Sequence, residues 1–252
     1  MLRLRGTVFT HQGAVRDANE DTIAFGDWLR SAPMAYPELQ TVALDQPRLA
    51  LVADGMGGHA AGEVASRAVA EALVRQAALA VDPAGVAATL ELANRDLFEL
   101  MAERPVLRGM GTTVAGVIVS PGRVLVFNIG DSRVYAVGNG GALEQLSTDD
   151  TPGPKQPDGR TALVTSSLIT QVLGGTTRPA TLEPHVLERP LEPGARFLIT
   201  SDGLTDLVPP AEIAAAIDAH DRESVERLFH LAMSAGGLDN ISIVLTRTVE
   251  ET

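Results

Sequence analysis

The chain has 252 residues, no cysteine, and 32 acidic against 20 basic side chains, which gives a formal net charge of −12 at pH 7. The lack of cysteine excludes disulfides, thiol nucleophiles and thiolate metal sites, so any metal must bind oxygen or imidazole ligands. The negative charge disfavours nucleic acids and anionic membranes as partners. No apolar segment has the length of a membrane span or a signal peptide, and we expect a soluble cytoplasmic protein.

The first part of the chain predicts short strands followed by two helices. Apolar alternation or apolar runs predict three strands, at Leu4–Thr10, Asp21–Phe25 and Arg48–Ala53. Three prolines within Trp28–Pro47 favour an irregular loop there. Helical spacing predicts a helix over Ala60–Ala80, and the pair Asp82-Pro83 is typical of the start of a second helix that continues to about Ala102.

The second part predicts an antiparallel meander, a long loop and a closing group of helices and strands. The predicted strands are Thr112–Val119, Val124–Ile129, Val134–Val137, Val186–Arg189, Phe197–Thr200 and Ile241–Arg247. Ser147–Arg160 is rich in Pro, Gly and Asp and predicts a loop, whereas Ala211–Ala219 and Arg222–Ala235 have helical spacing. This order favours antiparallel sheets packed together with helix pairs outside, in one domain over residues 1–252.

Carboxylates occur in four turns at the edges of predicted strands. These turns are Asn19-Glu20-Asp21, Asp54-Gly55, Asp202-Gly203 and Asp239-Asn240. Each one alone is ordinary turn chemistry. If they converge, however, the carboxylates repel one another unless a cation lies between them. Oxygen ligands without cysteine or clustered histidine favour a hard ion such as Mg²⁺ or Mn²⁺.

Six motifs occur in a fixed order along nearly the whole chain. They are Gly13-x-x-Arg16-x-x-Asn19-Glu20-Asp21, Val52-Ala53-Asp54-Gly55-Met56-Gly57-Gly58-His59, Gly111-Thr112-Thr113, Asn128-Ile129-Gly130-Asp131-Ser132-Arg133, Ser201-Asp202-Gly203-Leu204-Thr205-Asp206 and Gly237-Leu238-Asp239-Asn240. In these motifs the chain resembles the type 2C, metal-dependent protein Ser/Thr phosphatases (PPM family) in their compact bacterial form. The resemblance implies an α+β fold, a four-layer αββα sandwich of two antiparallel sheets flanked by helix pairs, with two metal ions at one end.

The resemblance also implies a role for each matching residue. Asp54 would bridge two Mn²⁺ or Mg²⁺ ions, and Arg16 would grip the substrate phosphate through its planar guanidinium. The remaining expected ligands are the Gly55 carbonyl, Glu20, Asp21 through water, Asp202 and Asp239, with Asn240 orienting Asp239. In the implied mechanism, a water that bridges the metals attacks phosphorus directly, without a phosphoenzyme.

Two departures from the family pattern modify these expectations. Arg108 occupies a position where an acidic residue would help to hold a third metal, so we expect that third site to be absent or weakened, unless Arg108 is only a solvated surface residue. The flap-like segment around residues 149–168 is short, which predicts an open approach to the metals.

Two further residues have competing interpretations. His59 is considered as a general acid, but a role at a helix start is favoured. Asp131 is expected to stabilise a turn.

The resemblance predicts an enzyme that hydrolyses phosphoserine and phosphothreonine in proteins. Its expected partners are phosphoprotein substrates and a cognate bacterial Ser/Thr kinase with its targets, including kinase and phosphatase pairs of secretion systems. The alternative is an inactive relative that binds a phosphoprotein or kinase as a scaffold. The presence of Glu20, Asp54, Asp202 and Asp239 favours the enzyme.

Overall fold

The computed structural model describes residues 1–57, 61–152 and 168–250. The elements up to the second long helix are β1 (Leu2–His11), β2 (Thr22–Phe25), β3 (Trp28–Arg30), β4 (Glu38–Ala43), β5 (Arg48–Ala53), β6 (Gly55–Met56), α1 (Ala61–Gln76) and α2 (Pro83–Glu103). They are followed by β7 (Gly111–Thr112), β8 (Val114–Ser120), β9 (Arg123–Ile129), β10 (Arg133–Val137), β11 (Leu143–Gln145), β12 (Leu173–Gly174), β13 (His185–Pro190), β14 (Arg196–Thr200), α3 (Asp202–Thr205), α4 (Pro210–Ala216), α5 (Asp221–Ser234) and β15 (Ile241–Glu250).

Two six-stranded antiparallel sheets form the centre of the molecule. The first has the strand order β11-β10-β14-β15-β1-β4, and the second has the order β13-β9-β8-β5-β2-β3. The longest ladder joins β1 to β15, from the pair Leu2 and Glu250 to the pair His11 and Ile241. This ladder brings segments from opposite ends of the sequence to the same end of the first sheet.

The packing of β5 shows why its sequence is apolar without alternation. Val52 packs into the core that lies between the two sheets, whereas the preceding residue, Leu51, packs into a second core beneath α1 and α2. Successive side chains of a strand point to opposite faces, so both faces of this sheet are covered by apolar partners. On the other side, Val225 and Leu228 of α5 pack on the first sheet. The predicted four-layer αββα sandwich is confirmed.

The loop predicted for Trp28–Pro47 is wrong, because this segment contains two strands. β3 pairs with β2, and β4 pairs along the edge of β1, with Leu39 opposite Thr7. The prolines that favoured a loop, Pro33, Pro37 and Pro47, all lie outside the two strands. An edge strand needs hydrogen-bond partners on one side only, so its own sequence carries a weak signal.

The helix prediction at Asp82-Pro83 is confirmed in its details. The Asp82 side chain accepts a 2.7 Å hydrogen bond from the Gly85 backbone N–H, and Pro83 occupies the first helical position. His59 and most of the flap-like segment around residues 149–168 lie outside the described residues. The short flap and the single domain over residues 1–252 therefore stay predictions. Within the described ranges, no helix has the length and apolar character needed to cross a bilayer.

Candidate metal centre

The ends of three central strands bring carboxylates together at one end of the sandwich. Asp54 directly follows β5, Asp202 follows β14 after one residue, and Asp239 lies two residues before β15. The charges of Asp202 and Asp239 both raise the pKa of Asp54, so the three groups lie close to one another. The convergence that the sequence could not establish is therefore present in the structure.

Asp54 is fixed through its backbone carbonyl, and its carboxyl lies buried among other carboxylates. Its carbonyl oxygen accepts hydrogen bonds from the Thr112 hydroxyl at 2.8 Å and from the Thr113 backbone N–H at 2.9 Å. Burial raises the pKa of its carboxyl well above the ordinary value, and repulsion from Asp21, Asp202 and Asp239 raises it further. A bound cation would relieve this cost, since it favours the charged form of every carboxylate around it.

Asp202 begins the short helix α3 and has the same kind of environment. Burial raises the pKa of its carboxyl well above the ordinary value, followed by repulsion from Asp131 and Asp206. Its buried Oδ1 atom has no hydrogen-bond partner. A buried carboxylate oxygen without a donor is costly in a protein, and an ion would satisfy it.

Asp239 lies under the guanidinium of Arg16. Its Oδ1 atom accepts a 2.8 Å hydrogen bond from the Asn240 backbone N–H, and its Oδ2 atom accepts a 2.6 Å hydrogen bond from Arg16 Nη2. The hydrogen bond to Asp239 raises the pKa of Arg16 against the effect of burial, and the charges of Asp54 and Glu20 raise it further. Arg16 therefore faces the carboxylate cluster from its solvent side, where we predicted a phosphate-binding group.

Asp21 is fully buried behind the cluster. Its Oδ2 atom accepts a 2.9 Å hydrogen bond from the Ser201 hydroxyl, while its Oδ1 atom has no partner. Burial raises the pKa of Asp21 to about 7, against the opposing effect of hydrogen bonds with Ser242, Ser201 and Asp54. Its predicted role, reaching a metal through water, stays a prediction.

Glu20 and Gly55 meet at the start of α1. A Cβ atom on Gly55 would overlap the Gly62 carbonyl oxygen, and a Cβ on Gly62 would lie 2.9 Å from Glu20 Oε1. The Ser66 hydroxyl donates a 2.6 Å hydrogen bond to the Glu20 carbonyl oxygen and fixes this segment on the helix. Glycine at both positions lets Glu20, the Gly55 backbone and the first turn of α1 pack closely together.

The side chain of Asn240 holds a different part of the site from the one predicted. It reaches Asp239 only through its backbone N–H. Its Oδ1 atom accepts a 2.7 Å hydrogen bond from the Glu20 N–H, and its Nδ2 atom donates to the carbonyls of Gln12 and Ala18 at 3.0 and 2.9 Å. Asn240 therefore fixes the loop that carries Arg16 and Glu20 as well as the backbone next to Asp239.

Asp131 belongs to this cluster, although the sequence pattern predicted only a turn there. Burial raises its pKa to about 6, with further repulsion from Asp206, and its buried Oδ1 atom has no partner. Arg108 is exposed at the end of a short 3-10 turn, Pro105–Leu107. The weakened third metal site expected from Arg108 stays a prediction.

The donor set fits hard divalent cations. The groups that converge are carboxylates, which are ligands that Mg²⁺ and Mn²⁺ prefer. In residues 1–57, 61–152 and 168–250, no three acidic or histidine side chains are already placed as ligands around a single point. The Asp21 carboxylate instead accepts a hydrogen bond from Ser201 and interacts with Asp54, and the Asp239 carboxylate accepts one from Arg16.

Comparison with known proteins gives a consistent result. Residues 38–236 match the model of the family described as Protein phosphatase 2C. The chain is 34% identical to the serine/threonine protein phosphatase PstP of Mycobacterium tuberculosis over 99% of this chain and 46% of that protein. It is 32% identical to the protein phosphatase PhpP of Streptococcus pneumoniae over 80% of this chain and 86% of that protein. The chain thus spans about half the length of the mycobacterial relative.

A solved structure extends the similarity to three dimensions. The catalytic domain of PstP, in complex with two manganese ions, is 33% identical, and the alignment covers 99% of this chain and all of that one with a TM-score of 0.78. The fold, the converging carboxylates and the family match agree with one another. The chain belongs to the protein phosphatase 2C family.

Proposed function

We propose that this protein is a metal-dependent protein phosphatase that hydrolyses phosphoserine and phosphothreonine with two Mn²⁺ or Mg²⁺ ions. The observation that carries the proposal is the convergence of Asp54, Asp202 and Asp239 beside Arg16 at one end of the sandwich. The names of the mycobacterial and pneumococcal relatives support the activity, and the two manganese ions of the PstP catalytic domain support the cofactor.

Each residue of the site has a proposed task. In this proposal Asp54 would be shared by both ions, Asp202 and Asp239 would hold one of them, and Glu20 with the Gly55 carbonyl would hold the other. When bound, two divalent ions supply an acidic water and neutralise charge on the phosphoryl oxygens. Arg16 binds the phosphate of the substrate from the solvent side and keeps its ester bond directed at the ions.

The biological setting is a further part of the proposal. Phosphoproteins made by a cognate Ser/Thr kinase are the proposed substrates, and the cytoplasm is the proposed compartment. The acidic chain, at −12 in formal charge, is unsuited to nucleic acids as partners. Control of a secretion system is one pathway in which such a pair would act.

Hydrolysis assays test the proposal directly. Release of phosphate from a phosphothreonine peptide and from an aryl phosphate is measured with Mn²⁺, with Mg²⁺ and with a chelator. We expect turnover only with metal, and its loss in Asp54→Asn and Asp202→Asn. Asp27→Asn is a matched control, because the Asp27 side chain is 89% exposed and lies in the β2–β3 turn, outside the cluster. Binding of phosphopeptide without turnover under any condition would favour the scaffold instead.

A further inference from the structure

Two large exposed apolar side chains directly precede the two members of the ion pair between Arg16 and Asp239 in the sequence. Val15, which precedes Arg16, is 61% exposed, and Leu238, which precedes Asp239, is 54% exposed. Single exposed apolar residues are common on protein surfaces and need no explanation. Two such residues on separate loops, one beside the proposed phosphate-binding arginine and one beside its ion-pair partner, are less common.

The two loops form one continuous surface. The Ala14 backbone N–H donates a 2.8 Å hydrogen bond to the Gly237 carbonyl oxygen, one residue before each apolar side chain. Gly13 has a φ of +78°, and a Cβ atom there would overlap the Asp239 carbonyl oxygen, so the backbones are in close contact. Val15 and Leu238 are therefore held at fixed positions relative to Arg16.

We propose that Val15 and Leu238 bind an apolar side chain next to the phosphorylated residue and so determine which phosphopeptides this enzyme prefers. The inference rests on the proposed phosphatase function. With the phosphate on Arg16, the residue beside the phosphoserine or phosphothreonine lies about 3.8 Å away along the peptide backbone. It is then close to the side chains that neighbour Arg16 and Asp239. Contact removes apolar surface of both partners from water.

The charges around this surface support an apolar rather than an acidic neighbour. Arg16 is the cation that receives the phosphate, and the negative charges of Asp54 and Glu20 raise its pKa and favour its charged form. Asp17 is exposed on the same loop. A carboxylate beside the phosphorylated residue would meet the like charge of Asp17, whereas an aliphatic side chain meets Val15 and Leu238. The occupant is thus a phosphopeptide with a leucine, isoleucine or valine next to the phosphorylated residue.

The test compares phosphothreonine peptides that differ only in the two neighbours of the phosphothreonine. One carries leucine there, one glycine and one glutamate. We expect kcat/KM to be about fivefold to tenfold higher for the leucine peptide than for the glycine peptide, and lowest for the glutamate peptide. Val15→Ser, Leu238→Ser and the double variant should lose the preference for leucine while turnover of the glycine peptide changes by less than about twofold.

Leu79→Ser is the matched control. Leu79 is 72% exposed. It lies beyond the end of α1, whose 16 residues span about 24 Å, whereas the site lies at the start of that helix. This variant should keep the preference of the wild type. Equal kcat/KM for the leucine and glycine peptides in the wild type would overturn the inference, and so would equal losses on both peptides in the Val15 and Leu238 variants.

Two further measurements separate this inference from its alternatives. Fluorescence anisotropy with the same labelled peptides reports the preference even if no peptide is hydrolysed, so failure of the phosphatase proposal is distinguished from failure of this one. Stronger binding of the leucine peptide is expected there too. Sedimentation velocity tests whether the surface joins two copies of the chain. A dimer that is lost in the double variant would assign Val15 and Leu238 to self-association and overturn the inference.

Discussion

Arg16 donates a 2.6 Å hydrogen bond to Asp239, a residue 223 positions later in the chain. The Arg16 side chain is 52% exposed and that of Asp239 is 34% exposed, so the pair lies at the mouth of the site rather than in the core. An exposed ion pair contributes little to folding, about 0–1 kcal/mol. Its significance is functional, because it joins the proposed phosphate-binding group directly to a proposed metal ligand.

Replacement of Arg16 should damage catalysis more than stability. For Arg16→Ala we expect kcat/KM on a phosphothreonine peptide to fall by about 10- to 100-fold, because a charge-assisted contact to the phosphate is lost. Arg16→Lys should recover only part of this loss, since a lysine cannot form two parallel hydrogen bonds to phosphate oxygens. The thermal midpoint should change by less than about 3 °C. Unchanged kinetics in both variants would remove Arg16 from the site.

Asp54→Asn should lower turnover but raise the stability of the metal-free protein. We expect about a 100-fold or larger loss of turnover, the effect typical of removing one preorganised electrostatic group. In the presence of a chelator the variant should be more stable than the wild type, because it removes one of several buried carboxylates that repel one another. A gain of about 1 kcal/mol would raise the thermal midpoint by about 2–4 °C.

Differential scanning calorimetry with chelator and with saturating Mn²⁺ checks this second prediction. The wild type should gain more stability from Mn²⁺ than the Asp54→Asn variant, since only the charged form binds the ion strongly. Lower stability of the variant in chelator would show that Asp54 is needed for the fold itself.

Asp21 gives a prediction about pH. Burial raises its pKa to about 7 from an ordinary value of 3.8, so the folded state holds this proton more tightly than the unfolded state. The stability that the protonated group contributes is complete below pH 3.8 and is lost as the pH rises towards 7. The difference in free energy of unfolding between wild type and Asp21→Asn, measured in chelator, should therefore shift against the wild type over this range.

Urea denaturation at several pH values gives that difference. Because the exposed acidic residues are common to both proteins, their titration cancels. A difference that shifts in favour of the wild type as the pH rises would mean that Asp21 is charged and satisfied by its serine neighbours, contrary to the prediction.

Asn240→Ala should weaken metal binding through the loop that Asn240 holds. The substitution leaves the Glu20 N–H and the Gln12 and Ala18 carbonyls without their side-chain partner. Loss of such a supporting contact typically reduces metal affinity by about 10- to 100-fold. Isothermal titration with Mn²⁺ measures this effect. Thr176→Ala, in another loop with a side-chain-to-backbone hydrogen bond, should leave the affinity unchanged.

Most of the fold was predictable because the sequence carries its physical signals locally. The Asp82-Pro83 helix start and the apolar run of β5 each determine a structure from neighbouring residues alone. The strand β4 was missed because its stability comes from pairing with β1, which lies far away in sequence. For the same reason the two-residue strands β6, β7 and β12, which form a small sheet beside Asp54, have no signal of their own.

The site was predictable in its residues but not in its contacts. The carboxylate-bearing turns marked Glu20, Asp54, Asp202 and Asp239, and the family resemblance added Arg16. The side-chain role of Asn240 depends on which backbone groups lie around it, and nothing in the local sequence reveals that. Asp131 was undervalued because an Asp-Ser-Arg run has the pattern of an ordinary turn, while its burial beside Asp202 depends on the packing of two strands.

The ten-residue ladder between β1 and β15 has a consequence for synthesis. During translation β1 emerges first, and its partner on this side emerges only after more than two hundred further residues. Until then Arg16 has no Asp239, Asp54 lacks one of its carboxylate neighbours, and the first sheet lacks one of its central strands. The nascent chain therefore cannot assemble its ion site early, and catalytic competence and completion of the sandwich should arise together as a late step of folding.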